Sequence, residues 1–191
     1  MSFLKGKRRF AAVLLSGFVW LVIVRPSLAT DIDTVFYISS SDNDSKVHYG
    51  IHLNSNCSPV RSNPVYYYWL RSDGSTRQLN SQEENGYGIS NQAVSGNTVN
   101  LGANGFQRYG DGRPLAIKTS RSSNGSCQAH ASTTIRGVST QLAHSRVLVQ
   151  RRKILGQTVQ ARVLGIVLTG SNGSSETMPC SRNCTVGLPL P

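Results

Sequence analysis

The groups with chemical reach in this 191-residue sequence are four cysteines, four histidines, one aromatic run and one basic run. Cys57 follows His48 and His52 in the chain, and a thiol served by an imidazole base is the minimum equipment for acyl transfer. An envelope hydrolase or transpeptidase-like enzyme would use such a Cys/His arrangement. Wall transpeptidases carry a Ser-His-Gly-Cys-type signature, however, whereas Cys57 follows Asn54-Ser55-Asn56. The even set Cys57, Cys127, Cys180 and Cys184 points instead to disulfides. Three pairings are possible; Cys180 and Cys184 flank a short Ser-Arg-Asn loop and suit a local ring, which leaves Cys57 for Cys127.

Metal chemistry has little support. The cysteine spacing is not that of a zinc ribbon, and no histidine lies near Cys180. Along a strand, His48 and His52 stand about 13 Å apart, too far to share an ion. They read as isolated solvent-facing histidines, with His130 or His144 on other strands. Asp42-Asn43-Asp44-Ser45 alternates oxygen ligands but lacks the glycine and distal glutamate of a calcium loop. No metal and no cofactor are expected, and no catalytic residue is assigned.

Two surfaces offer binding candidates, set against ordinary cross-strand packing for the rings and a solvated tip for the cations. Tyr66 and Tyr68 alternate with Tyr67 and Trp69, so both faces of that strand carry rings. One set serves the core; Tyr66, Tyr68 and Trp69 are the candidates for stacking on a flat ligand or a sugar. Arg151, Arg152 and Lys153 precede Ile154-Leu155-Gly156 at an expected hairpin tip spanning 151–157, where cations flank apolar side chains. That pattern suits an anionic envelope polymer or a membrane surface. Nucleic-acid binding would need a wider basic stripe with aromatics in register, and none is expected.

The elements that must position these groups begin after a leader. Lys5, Lys7, Arg8 and Arg9 precede the apolar run Phe10–Val24, and Ser27-Leu28-Ala29 offers small residues for cleavage before Thr30. Residues 1–29 therefore read as a signal helix, and 30–191 as one exported β domain, periplasmic or extracellular. Without the leader, fifteen cations face nine acids, a net charge of +6 in place of +11. Much of the apparent basicity is targeting, and the remainder suffices for solubility.

Short strands then follow one another with turn residues between them. They are expected at Thr34–Ile38, Lys46–Leu53, Val65–Arg71, Thr76–Leu79, Thr98–Leu101, Leu115–Thr119, Cys127–Ile135, Leu142–Gln150 and Thr158–Thr169. Ser81–Asn85 suits one helical turn, and Ser171 onward a pinned tail over 171–191. This pattern predicts an all-β fold, a single antiparallel β-sandwich or barrel-like domain.

Phe36-Tyr37-Ile38-Ser39-Ser40-Ser41-Asp42-Asn43, Val47-His48-Tyr49, Pro64-Val65 with Tyr68-Trp69, Leu79-Asn80 and Tyr87-Gly88-Ile89 together resemble the bacterial domain-of-unknown-function family 4833. The likeness runs from Thr34 to about Glu176 and departs from the pattern at the cysteines, the Gly-Asn-rich insertion and Gly86. It implies an exported β-rich domain with no assigned activity and carries no site residue over. The reading is an exported, non-enzymatic binding or structural module of the cell envelope or extracellular space.

Overall fold

The computed structural model describes residues 30–41, 46–71, 73–79, 92–102, 113–180 and Cys184. The signal helix, the Asp42–Ser45 turn and the Ser81–Asn85 helical turn lie outside the described residues. Within them the chain is all β: β1 (Thr30–Ser40), β2 (Lys46–Leu53), β3 (Val65–Leu70), β4 (Thr76–Gln78), β5 (Ala93–Ser95), β6 (Thr98–Gly102), β7 (Leu115–Arg121), β8 (Cys127–Ile135), β9 (Val138–Ile154), β10 (Gln157–Gly170) and β11 (Ser175–Pro179).

The strands join in the order β4-β3-β2-β1-β9-β8-β7-β6-β5, curled into a half-barrel, with β10 on the other edge of β9 and β11 beside β10. The 17-residue β9 is the hub. Its start pairs antiparallel with β8, up to Ser132 opposite Gln141, and Ser145–Val147 then pair parallel with Ile38–Ser40 of β1. The sheet is thus mixed and not purely antiparallel. Local hairpins generate the antiparallel ladders, but β1 reaches β9 only after β2 to β8 have intervened, and the two strands run the same way.

Alternation explains the core. Val47, Tyr49, Ile51 and Leu53 of β2 turn inward beside Phe36 and Ile38 of β1 and Val65, Tyr67 and Trp69 of β3. Phe36 stacks on Tyr49 at 4.1 Å, and Tyr49 meets Tyr67 edge-on at 4.4 Å. Val99, Leu101, Leu115, Ile117, Ala131 and Ile135 close the core from the other wing, with Ile166, Leu168 and Met178 from β10 and β11.

A clasp holds β11 to the β8–β9 turn. The Arg113 guanidinium donates to both carboxylate oxygens of Glu176 at 2.6 and 2.5 Å, and the Arg136 amide donates to the same carboxylate. These bonds, the Arg113 side chain first, hold the Glu176 carboxyl at about 2, below its ordinary 4.5. Because the folded value is depressed, the contribution is complete above about 4.5 and is lost as the pH falls toward 2. The pair is about a quarter exposed, with 26% and 23% of the two side chains accessible, so screening trims its worth. Glu176→Gln should cost about 1–2 kcal/mol at pH 7 and about nothing near pH 2, read from urea melts at both values.

Candidate functional site

The outer face of β1–β3 carries two rows of rings. Register sets Tyr37 opposite His48 and His48 opposite Tyr68. His144 stacks on Tyr37 at 5.6 Å, Tyr37 meets His48 at 5.6 Å, and His48 stacks on Tyr68 at 4.9 Å. A bulge in β1 between Ile32 and Phe36 brings Asp33 and Thr34 against this face. The Thr34 hydroxyl lies 2.9 Å from His48 Nδ1 and 2.8 Å from the Tyr68 hydroxyl. Burial, and then the nearby Lys46 cation, lowers the His48 pKa.

The second row rests on a glycine. A Cβ at Gly50 would lie 2.2 Å from Cζ of Tyr66, so only glycine lets that ring lie across the strand. Tyr66 then stacks on His52 at 4.4 Å and donates its hydroxyl to Asp33 at 2.9 Å, while His52 Nδ1 sits 2.8 Å from Asp31. Burial first, and the bond to Asp33 second, push the Tyr66 phenol well above its ordinary range.

His48 and His52 are therefore not isolated: each is stacked and hydrogen-bonded in its own row. Among the described residues no three His, Cys, Asp or Glu side chains gather as a metal site. The aromatic trio also divides. Tyr66 and Tyr68 face outward with ring surface already covered by histidines, whereas Trp69 is 6% exposed on the core side, with the Arg71 and Arg77 guanidinium groups 4.6 and 5.3 Å from its ring.

The thiol of the Cys/His reading is taken. Cys57 is bonded to Cys127 and Cys180 to Cys184, so no described cysteine is free to act as a nucleophile. Cys57 sits in the loop after β2, and its partner opens β8.

The basic run occupies a different place from the expected tip. Arg151, Arg152 and Lys153 belong to β9, opposite Ala161, Gln160 and Thr158 of β10, and the turn has shrunk to Leu155-Gly156. Both turn residues have positive φ, 51° and 79°, which marks the two-residue type I′ connection that matches strand twist. A loop of cations in the sequence is thus a strand ladder, interrupted by one bulge at Val159. Beyond the Val149–Val163 pair this ribbon has neither β1 nor β11 beside it, and it projects by about 17 Å.

The arm is exposed nearly throughout. Leu155 is 99% exposed, Ile154 50% and Val159 53%. Arg152 and Lys153 are exposed with them, as is Arg162 on the returning strand. A cavity of about 330 Å³ on the arm is lined by Gln150, Arg151, Arg152, Gln160 and Arg162. Reading the basic run alone misses Gln150, Gln160 and Arg162. A signal was present: from Gly112 to Ser175 the sequence has nine cations and no acid.

A family model described as Domain of unknown function (DUF4833) matches residues 36–177. The chain belongs to the DUF4833 family. The matched span of this DUF4833 protein runs from β1 into β11 and includes the arm, Cys57 and Cys127, while Cys180 and Cys184 fall beyond it. Neither a curated protein nor a solved structure matches the chain.

Proposed function

We propose that this DUF4833 protein is an exported, non-enzymatic binding module that docks on an anionic lipid surface through the β9–β10 arm. The observation that carries the reading is the arm itself: three exposed apolar side chains at the end of a ribbon bearing Arg151, Arg152, Lys153 and Arg162. Water is a poor solvent for Leu155, Ile154 and Val159, and no described residue covers the 99% exposed Leu155. An acidic polymer would answer the cations only. A bilayer answers both, with anionic headgroups for the guanidinium groups and an acyl boundary for the tip. The two disulfides support an oxidising compartment, in keeping with the leader read from residues 1–29.

Each cation near an anionic surface contributes about 1 kcal/mol, so replacing Arg151, Arg152 and Lys153 by Ser should weaken binding to phosphatidylcholine–phosphatidylglycerol vesicles about 100-fold in a sedimentation assay. Added salt should weaken the parent protein in the same direction. Leu155→Asp should also release it. Unchanged sedimentation of both variants would sink the reading.

A further inference from the structure

We infer that the groove of the arm is a binding site for a phosphate group. The register builds it as a two-by-two block, with Gln150 opposite Arg162 and Arg152 opposite Gln160. Arg152 and Arg162 stand on one diagonal of this block, neighbours about 7–8 Å apart, a gap that long side chains close easily. Arg151, paired with the small Ala161, completes the lining of the cavity.

Two observations give the site its ligand. The first is charge without an answer: Arg152 and Arg162 make no hydrogen bond or ion pair to another described residue, and no acid lies in the chain between Gly112 and Ser175. Glu176, the next acid in the sequence, is held by Arg113 and the Arg136 amide. Like charges on one ladder repel, and a dianion or monoanion between them converts that repulsion into two attractions. The second is donor geometry. Guanidinium forks bind the oxygens of a tetrahedral phosphate in pairs, and the Gln150 and Gln160 amides supply further N–H donors, or an acceptor for a P–OH. A carboxylate presents only two oxygens in one plane and leaves donors unused.

A volume of about 330 Å³ is at the low end for ligand sites and has room for a phosphate group. The phosphate can come from a lipid headgroup or from a soluble phosphate ester. The headgroup source rests on the lipid-surface reading above, while the site itself does not.

The oxidised protein, labelled with ¹⁵N, is titrated with sodium phosphate and, at matched ionic strength and pH, with sodium acetate. Phosphate should give saturable shifts confined to the amides of Gln150–Arg152 and Gln160–Arg162, at about millimolar concentration, whereas acetate gives small linear ones. Arg162→Gln, an exposed change outside the apolar tip, should weaken phosphate about tenfold and leave the spectrum elsewhere unaltered. Equal responses to the two anions, or undiminished phosphate binding by Arg162→Gln, would overturn the assignment. The source is then read from phosphatidylcholine–phosphatidylglycerol vesicles: displacement by inorganic phosphate places a headgroup in the groove, and phosphate saturation without displacement assigns it to a soluble ester. Leu155→Asp separates the two proposals, because it should abolish sedimentation with vesicles while the phosphate titration stays as in the parent.

Discussion

Replacing Cys57 and Cys127 together by Ala is expected to lower the unfolding free energy by about 4 kcal/mol. The bridge closes a loop across a sequence separation of 70, and the entropy of such a loop in the unfolded chain corresponds to about 4.4 kcal/mol in the chain-entropy account. Its position in the fold adds a reason. Among the described residues, the wing β4-β3-β2-β1 and the wing β8-β7-β6-β5 meet in the ladder only through β9, and this bond ties the β2–β3 loop straight to β8. Alanine keeps the Cβ and so leaves the backbone requirement at residue 57, where φ is 59°, as it was.

The seam is not abolished by the loss. Arg121 still donates to the Ser55 carbonyl, and the Ser58 hydroxyl to Asn97, so the double variant should fold and melt roughly 10 °C lower. The control is the pair Cys180 and Cys184, only four residues apart, for which the same account gives about 2 kcal/mol. Urea melts of the two double variants rank them. A local pair that costs as much as the long-range one would refute the seam argument.

The parts of this fold that were legible in the sequence are those encoded over a few residues. The alternation of Lys46–Leu53 appears as the buried and outward faces of β2, and Cys127–Ile135 is a strand with those same ends. That the four cysteines form disulfides was legible from their even count, whereas the choice among three pairings was left to the fold, which takes the local Cys180–Cys184 ring and gives Cys57 to Cys127. The parallel contact was not. Ser39 meets Ser145 across 106 residues, and nothing in either strand marks the direction of a neighbour so distant. The site residues follow the same rule. His48 and His52 were placed on the outward face correctly, but their ring partners Tyr37, Tyr68 and Tyr66 come from adjacent strands whose register the sequence does not print. Arg151–Lys153 looked like a turn because three successive cations resemble a solvated loop. In the fold, the positive φ values of Leu155 and Gly156 concentrate the whole reversal into two residues and leave the cations on a strand.

Gly165→Ala should cost about 3 kcal/mol, an effect set by backbone rather than by side chains. Gly165 lies in β10 between Leu148 of β9 and Pro179 of β11, just past a register shift after Val163. A Cβ there would sit 2.3 Å from the Met178 carbonyl oxygen and 3.1 Å from Cα of Pro179. No rotamer change relieves that contact, so β11 must move away. What moves with it is costly: Met178 is buried in the core, Glu176 holds Arg113, and the Cys180 amide donates to the Leu164 carbonyl at 2.9 Å. Gly173 supplies the comparison, since its φ is 81° but nothing lies within 4 Å of an added Cβ. Gly173→Ala should therefore cost only the left-handed backbone penalty of about 1 kcal/mol. Hydrogen exchange should show the Gly165 variant losing protection along Ile166–Thr169 and Ser175–Pro179 while β2 and β3 keep theirs. Equal destabilisation by the two alanines would mean that β11 yields freely to the added methyl, and the backbone argument would fail.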